Sequence, residues 1–208
     1  MKNIELLHQA ITASGNEQVE RLIKQFILSN ELQVKSKFNL FDCVAKKDNY
    51  RPVMTAVHYE NGFAYATDGH IAIKLKQDYA PELEGKTINK KGEELKDTYP
   101  NVDACTPKDE NLTYLGIDFA RVLELEKIYK LDYKADTKII QGCIKIGEAF
   151  VNIPLLAKIA RFAISLDIKT IGVENSQKAL KITNGESTAI IMPVMFNEES
   201  EAHKLYAL

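Results

Sequence analysis

The stretch Arg51–Lys74, RPVMTAVHYENGFAYATDGHIAIK, decides how this chain is read. Val53 to Tyr59 alternates apolar and polar positions as a strand does. Asn61-Gly62 supplies the positive φ angles of a two-residue hairpin turn, and Phe63, Tyr65 and Thr67 carry the return strand. Asp68-Gly69 turns the chain again. Ile71, Ile73 and Leu75 then share one face, while His70, Ala72, Lys74 and Lys76 share the other, which predicts a three-stranded meander with one packed face and one wet face. Just upstream, Phe38, Leu40, Phe41 and Val44 suggest a short apolar helix whose exit Pro52 marks, because a residue before proline is pushed toward extended geometry.

The same design returns between Ile153 and Phe196. A helix is predicted from Ile153 to about Leu166, with Leu155, Leu156, Ile159, Phe162 and Ala163 as its stripe and Lys158 and Arg161 on another face. Strands at 169–174, 178–183 and 187–192 follow, with Asn184-Gly185 where the first stretch has Asp68-Gly69. One sheet-and-helix module used twice points to a scaffold before it points to a catalyst. Between the two, residues 80–112 are punctuated by Pro81, Gly85, Gly92, Pro100 and Pro107, so brief strands and loops such as KTIN and EELK are expected. A helix at about 115–130 and a strand pair across 137–149 lead into the second module. Residues 4–28 read as two helical stripes broken at Ser14-Gly15-Asn16.

At 208 residues the chain can bury a substantial core, and its 45% hydrophobic and 27% charged residues match an ordinary folded protein, which excludes disorder and fibrous repeats. No apolar run approaches the roughly 18 residues of a membrane helix, and MKNIELLHQA is polar where a secretory signal is apolar, so a cytoplasmic location is expected. A net charge of −2 excludes a uniformly basic coat for nucleic acid but leaves a local patch open. Cys43, Cys105 and Cys143 have no CxxC spacing and read as packed or reduced thiols.

An active site is not legible. His8, His58, His70 and His203 have no metal-ligand spacing and sit in no nucleophile motif; Walker and GxGxxG loops are absent. His70 follows a tight turn, where a surface hydrogen-bonding role is commoner than that of a base, and Asp68 is a turn former by type. The expectation is a protein that is not an enzyme and needs no cofactor or metal.

Three collinear motifs carry a family resemblance. The Arg51-Pro52 strand entry leading to Ala66–His70 (ATDGH), the stretch Tyr99–Pro107 (YPNVDACTP) and the closing Ile191–Phe196 (IMPVMF) resemble, in this order, the bacterial sliding clamp, the β subunit of the replicative DNA polymerase. ATDGH is the most specific of them. The resemblance covers roughly residues 36–196. It implies an α+β, DNA-clamp-like fold of repeated antiparallel sheet-plus-helix modules: a helical extension at 1–34, module 1 at 35–110, module 2 at 111–196 and a tail at 197–208. In that family the domains close into a ring around duplex DNA, and a hydrophobic pocket captures linear peptides from polymerases, loaders and repair proteins. The matching pocket positions are Thr67, Gly69, His70, Ile71 and Ala72 on one wall, Pro107 at the link, and Met192, Pro193, Val194 and Met195 on the other. A methionine-rich, proline-bounded groove is adaptable enough for several partners.

The chain departs from the pattern between Asp68 and Pro107, where it is shorter, at Ile71, where the motif continues with arginine, and at its ending, which lacks the family's basic residue. With two modules per chain, a ring would need about three copies. Lys158 and Arg161, Arg121 and Lys127, and Lys46-Lys47 are the candidate DNA-facing cations for sequence-independent phosphate contact. Two functions are therefore expected: a DNA processivity or tethering factor with a peptide pocket, or a clamp-derived interaction module that does not encircle DNA. The tail is expected to be a frayed terminus, although its ending Lys204–Leu208 is loosely like the leucine-plus-aromatic peptides that clamps capture.

Overall fold

In the computed structural model, which describes residues 38–136 and 138–208, Thr67, Asp68 and Gly69 build a turn that Thr183, Asn184 and Gly185 repeat bond for bond. Thr67 Oγ1 accepts from the Gly69 N–H at 3.1 Å and donates to the Ile71 carbonyl at 2.7 Å. Thr183 Oγ1 does the same with Gly185 and Ser187 at 3.0 and 2.9 Å. Asp68 Oδ1 accepts the N–H groups of His70 and Ile71, and Asn184 Oδ1 those of Glu186 and Ser187. Such side-chain bonds two and three residues on substitute for a backbone turn. Both glycines hold positive φ, 87° and 95°, which a Cβ would strain.

In chain order the elements are β1 (Ala56–Glu60), β2 (Phe63–Thr67), β3 (Ile71–Lys76), β4 (Thr87–Asn89), β5 (Glu94–Leu95), the one-turn α1 (Val102–Cys105), β6 (Thr113–Gly116), α2 (Phe119–Ala135), β7 (Gln141–Ile146), β8 (Ala149–Asn152), α3 (Ile153–Ser165), β9 (Thr170–Val173), β10 (Leu180–Thr183), β11 (Thr188–Ile191) and β12 (His203–Tyr206). The expected α+β architecture of repeated antiparallel modules is present. Nine strands in the order β5-β4-β1-β2-β3-β11-β10-β9-β6 form one sheet, and β12-β7-β8 form a second. The meander β1-β2-β3 and the meander β9-β10-β11 thus share a sheet, joined by an antiparallel seam in which Ile71 faces Ile191 and Lys74 faces Thr188. The helical extension expected at residues 1–34 lies outside the described residues.

Helix α3 begins where Asn152 accepts the Leu155 N–H and Pro154 occupies the first turn, a position where the missing proline donor costs nothing. Helix α2 starts at Phe119, later than its apolar periodicity suggests, because Asp118 caps the N–H groups of Ala120 and Arg121 while Leu115 belongs to β6. The short helix expected over Phe38–Val44 shrinks to a 3-10 turn, Leu40–Asp42, since the Ala45 N–H turns away to the Met54 carbonyl at 2.8 Å. Val53–Thr55 likewise lies in a second 3-10 turn after Pro52, and the strand begins at Ala56. Both helices pack into one apolar core with the inner sheet faces, through Val122, Leu125, Leu156, Ile159 and Phe162 among others. Among the described residues no helix is long and apolar enough to cross a membrane.

The tail is a corrected expectation. His203–Tyr206 is not frayed but forms β12, parallel to β7. Gly142 on β7 leaves room for the Tyr129 ring of α2: a Cβ built there would lie 2.3 Å from that ring. Gly142→Ala is accordingly expected to destabilise the fold by about 1–3 kcal/mol through overpacking, read as a lower urea midpoint at unchanged m-value. An unchanged midpoint would show that the Tyr129 contact is slack.

Candidate functional site

Strand register brings the two distant motifs together. Thr67 faces Ala72 across β2-β3, and Ala72 faces Ile190 across the seam, so the three stand in one row on the outer sheet face. One residue further, the Met192 N–H donates to the His70 carbonyl at 2.8 Å and extends the pairing past the end of β11. Alternation settles which side chains face out. Ala72 and Ile190 join an outer apolar cluster with Tyr65, Val102 and Ala179, whereas Ile71, with Ile73 and Ile191, belongs to the inner core. Ile71 is therefore a correction to the expected wall: it is 2% exposed and supports the sheet from behind.

The remaining wall positions are placed as follows. Gly69 and His70 are exposed at the turn, and Thr67 is buried with its hydroxyl committed to that turn. Met192 is 41% exposed and Met195 93% exposed, while Pro193 and Val194 are half-buried. The Val194 N–H donates to the Phe150 carbonyl of β8 at 2.8 Å, so the methionine segment bridges from the large sheet to the small one. Met192 and Met195 thus present exposed, flexible thioethers at the end of the buried apolar row.

Pro107 lies on a strap, residues 96–112, that crosses the outer face from β5 to β6. The Tyr99 ring stacks on His58 at 5.0 Å, and its hydroxyl donates to the Tyr65 carbonyl. Burial pushes the Tyr99 phenol well above its usual value. Asp103 pairs with Lys74 at 2.8 Å, and Asp109 pairs with Lys181 at 2.8 Å while also receiving the Tyr114 hydroxyl. The Lys181 ammonium, then the Tyr114 hydroxyl, hold the Asp109 carboxyl below its ordinary range. These contacts fix the strap on the sheet, with its own Val102 packed against Tyr65; these are two residues of the outer cluster that sequence reasoning did not assign. The alternation of Tyr65 in β2 and the apolar Val102 inside YPNVDACTP were visible, but not the packing that lays Val102 of the strap over the outer sheet face.

Of the candidate cations, Lys158 and Arg161 lie on α3 and Arg121 and Lys127 on α2. Lys158 Nζ is 2.7 Å from Asp68 Oδ2, Arg161 reaches Glu126 at 2.6 Å and the Ala157 carbonyl at 2.9 Å, and Arg121 pairs with Glu124 at 2.8 Å. Lys127 is half-buried on α2, and Lys46 and Lys47 are exposed. A groove of about 690 Å³ brings Lys46, Lys158 and Arg161 together with Lys90 and Lys91 of the β4–β5 turn. Among the described residues Lys46, Lys90 and Lys91 have no carboxylate partner. Cys43 lines the same groove, its thiol pushed up to about 12 by burial against an opposing effect of Lys158. No group of three potential metal ligands occurs among the described residues.

No family model and no curated protein matches the sequence. Solved structures do resemble the fold. A putative DNA polymerase III beta subunit from Eubacterium rectale superposes with a TM-score of 0.51 at 12% identity, covering 77% of this chain and 62% of that one. The DNA polymerase III beta chain of Streptococcus pneumoniae gives 0.52 at 14% identity, with 75% and 61% covered. The beta subunit from Borrelia burgdorferi, solved in complex with a natural product, gives 0.53 at 14%, with 78% and 61% covered. The likeness is one of fold, and this chain spans about three-fifths of the length of each.

Proposed function

We propose that this chain is a clamp-like, non-catalytic scaffold that docks short linear peptides of replication or repair proteins on its outer face. The observation that carries the reading is the seam: the row Thr67–Ala72–Ile190 and the Met192–His70 backbone bond place the turn motif and the methionine segment side by side. A peptide with leucine and aromatic anchors would lie at the exposed end of that buried row, against Gly69, His70, Met192 and Met195, with the row itself as the packed floor behind them. In this reading residues 35–110 and 111–196 are two modules of one docking unit, not two independent domains. A fluorescein-labelled peptide bearing the leucine-plus-aromatic motif is expected to bind the wild-type chain. Met192→Asp is expected to weaken that binding by roughly tenfold or more, because a carboxylate must be desolvated against the apolar row. Equal binding by both chains would end the assignment.

DNA tethering is the second reading, favoured by the groove where Lys46, Lys90 and Lys91 meet the positive ends of α3's ion pairs. Duplex DNA would be held there by phosphate contact alone. Replacing the three lysines by glutamine is expected to flatten the dependence of log K on log salt by up to about 0.9 for each phosphate no longer neutralised. An unchanged slope would leave the peptide scaffold as the sole reading. Ring closure by three copies would have to use the sheet edges, which are β5 and β6 in the large sheet and β12 and β8 in the small one. A concentration-independent monomer by light scattering is the corresponding outcome for the scaffold.

A further inference from the structure

Strand β12 is held like a docked peptide. The tail leaves β11, touches β8 through Val194, stacks Phe196 on Phe150 at 4.8 Å, and then crosses to the far edge of the small sheet. There the Ala202 carbonyl accepts the N–H groups of Ile140 and Gln141, both at 2.9 Å, and β12 runs parallel to β7 with Leu205 beside Cys143 and Tyr206 beside Ile144. Alternate side chains supply the anchors. Lys204 Nζ and the Tyr206 hydroxyl both reach Asp132 Oδ2 on α2, at 2.8 and 2.7 Å, and the Asp132 side chain is 1% exposed. Backbone pairing along an edge with side-chain specificity at every second position is the architecture of strand addition.

The connection between the anchors is lightly held. Asn197, Glu198, Glu199 and Glu201 are exposed, and the Glu201–Lys138 pair is solvated on both sides. The connection's bonds are local to the turn: the Asn197 N–H donates to His203 Nδ1, the Glu199 N–H to Asn197 Oδ1, the Ser200 N–H to the Asn197 carbonyl, the Ala202 N–H to Ser200 Oγ and the His203 N–H to the Ser200 carbonyl. Without β12, β7 would present an unpaired edge of mostly buried residues, the kind of edge that recruits another strand.

We propose that the outer edge of β7 is a strand-acceptor site for an extended segment carrying Lys-x-Tyr in parallel register, and that the β12 segment of a second copy can take it. The site's complement is the buried Asp132 carboxylate, which receives an ammonium and a phenol two residues apart, and this chain's own tail carries that pair. Exchange of an identical edge element between copies requires only the release of the resident one. In the isolated chain the resident strand competes from a tether at millimolar effective concentration, so the site stays self-occupied.

The test uses full-length chains and a labelled synthetic peptide spanning Glu199–Leu208. A Lys204→Ala/Tyr206→Phe double variant, whose own strand is weakened, is expected to bind the peptide roughly tenfold or more tightly than wild type, because the tethered competitor is displaced more easily. Amide exchange supplies the second measurement: protection of Gln141–Ile146 falls in the double variant and returns on adding peptide, while Ile71–Lys76 stays protected. Equal peptide binding by the two chains overturns the proposal, as does unchanged protection of β7 in the variant. Loss of protection in both β7 and β3 also overturns it, because β12 would then be an inseparable part of the fold and not a replaceable ligand.

Discussion

Truncating Phe162 to alanine is expected to destabilise the protein by about 3–5 kcal/mol, a large share of the total for a chain of this size. Phe162 is 0% exposed at the centre of the core, on the face of α3 turned toward the sheets. Its ring meets that of Phe38 edge-on at 5.6 Å, which links α3 to the start of the first module. Removing the ring forfeits its transfer free energy and leaves a cavity that two packed helices cannot close. Ile164→Ala, on the same helix but 41% exposed, is the control and should cost less than about 1 kcal/mol. Urea unfolding of both variants checks this; a Phe162→Ala loss near the control value would mean that the core is less tightly packed than described.

Asp68→Ala is expected to cost about 3 kcal/mol, and Asp68→Asn about half of that. The alanine removes two turn bonds and the ion pair to Lys158, whose two side chains are only 10% and 27% exposed. Losing one member of a poorly solvated pair leaves the other without compensation. Asparagine keeps the turn, as Asn184 demonstrates in the repeated copy, and gives up only the charge. The difference between the variants, read by urea unfolding, therefore isolates the turn bonds from the link to α3. Equal losses would mean that the ion pair carries the whole effect.

The repeated turn was legible because Thr-Asx-Gly bonding is local: each donor and acceptor lies within four residues of the next. The same is true of α3, whose stripe, Asn152 cap and Pro154 all lie within one stretch. What escaped reading is non-local. The seam depends on residues in β3 and β11 finding register across most of the chain, and that register sets Ala72 against Ile190 and Ile71 against Ile191, whereas the alternation that turns Ile71 to the packed face was legible. Strand β12 escaped for another reason. HKLY has two basic residues and no clean alternation, and what makes it a strand is an aspartate on α2 and an open parallel edge. The cations were found by type, but their partners Asp68 and Glu126 come from other elements, which composition cannot reveal.

The seam also sets the order of assembly. Closing the loop between Ile71 and Ile191 costs an entropy of about 4 kcal/mol, so this pairing is expected to come late in folding. During synthesis the turn motif emerges long before its partner segment, so a half-made chain lacks the row that the seam assembles. Under the docking role proposed above, competence to recruit a partner is expected only of a finished chain, so a truncated or misfolded copy would not compete for one.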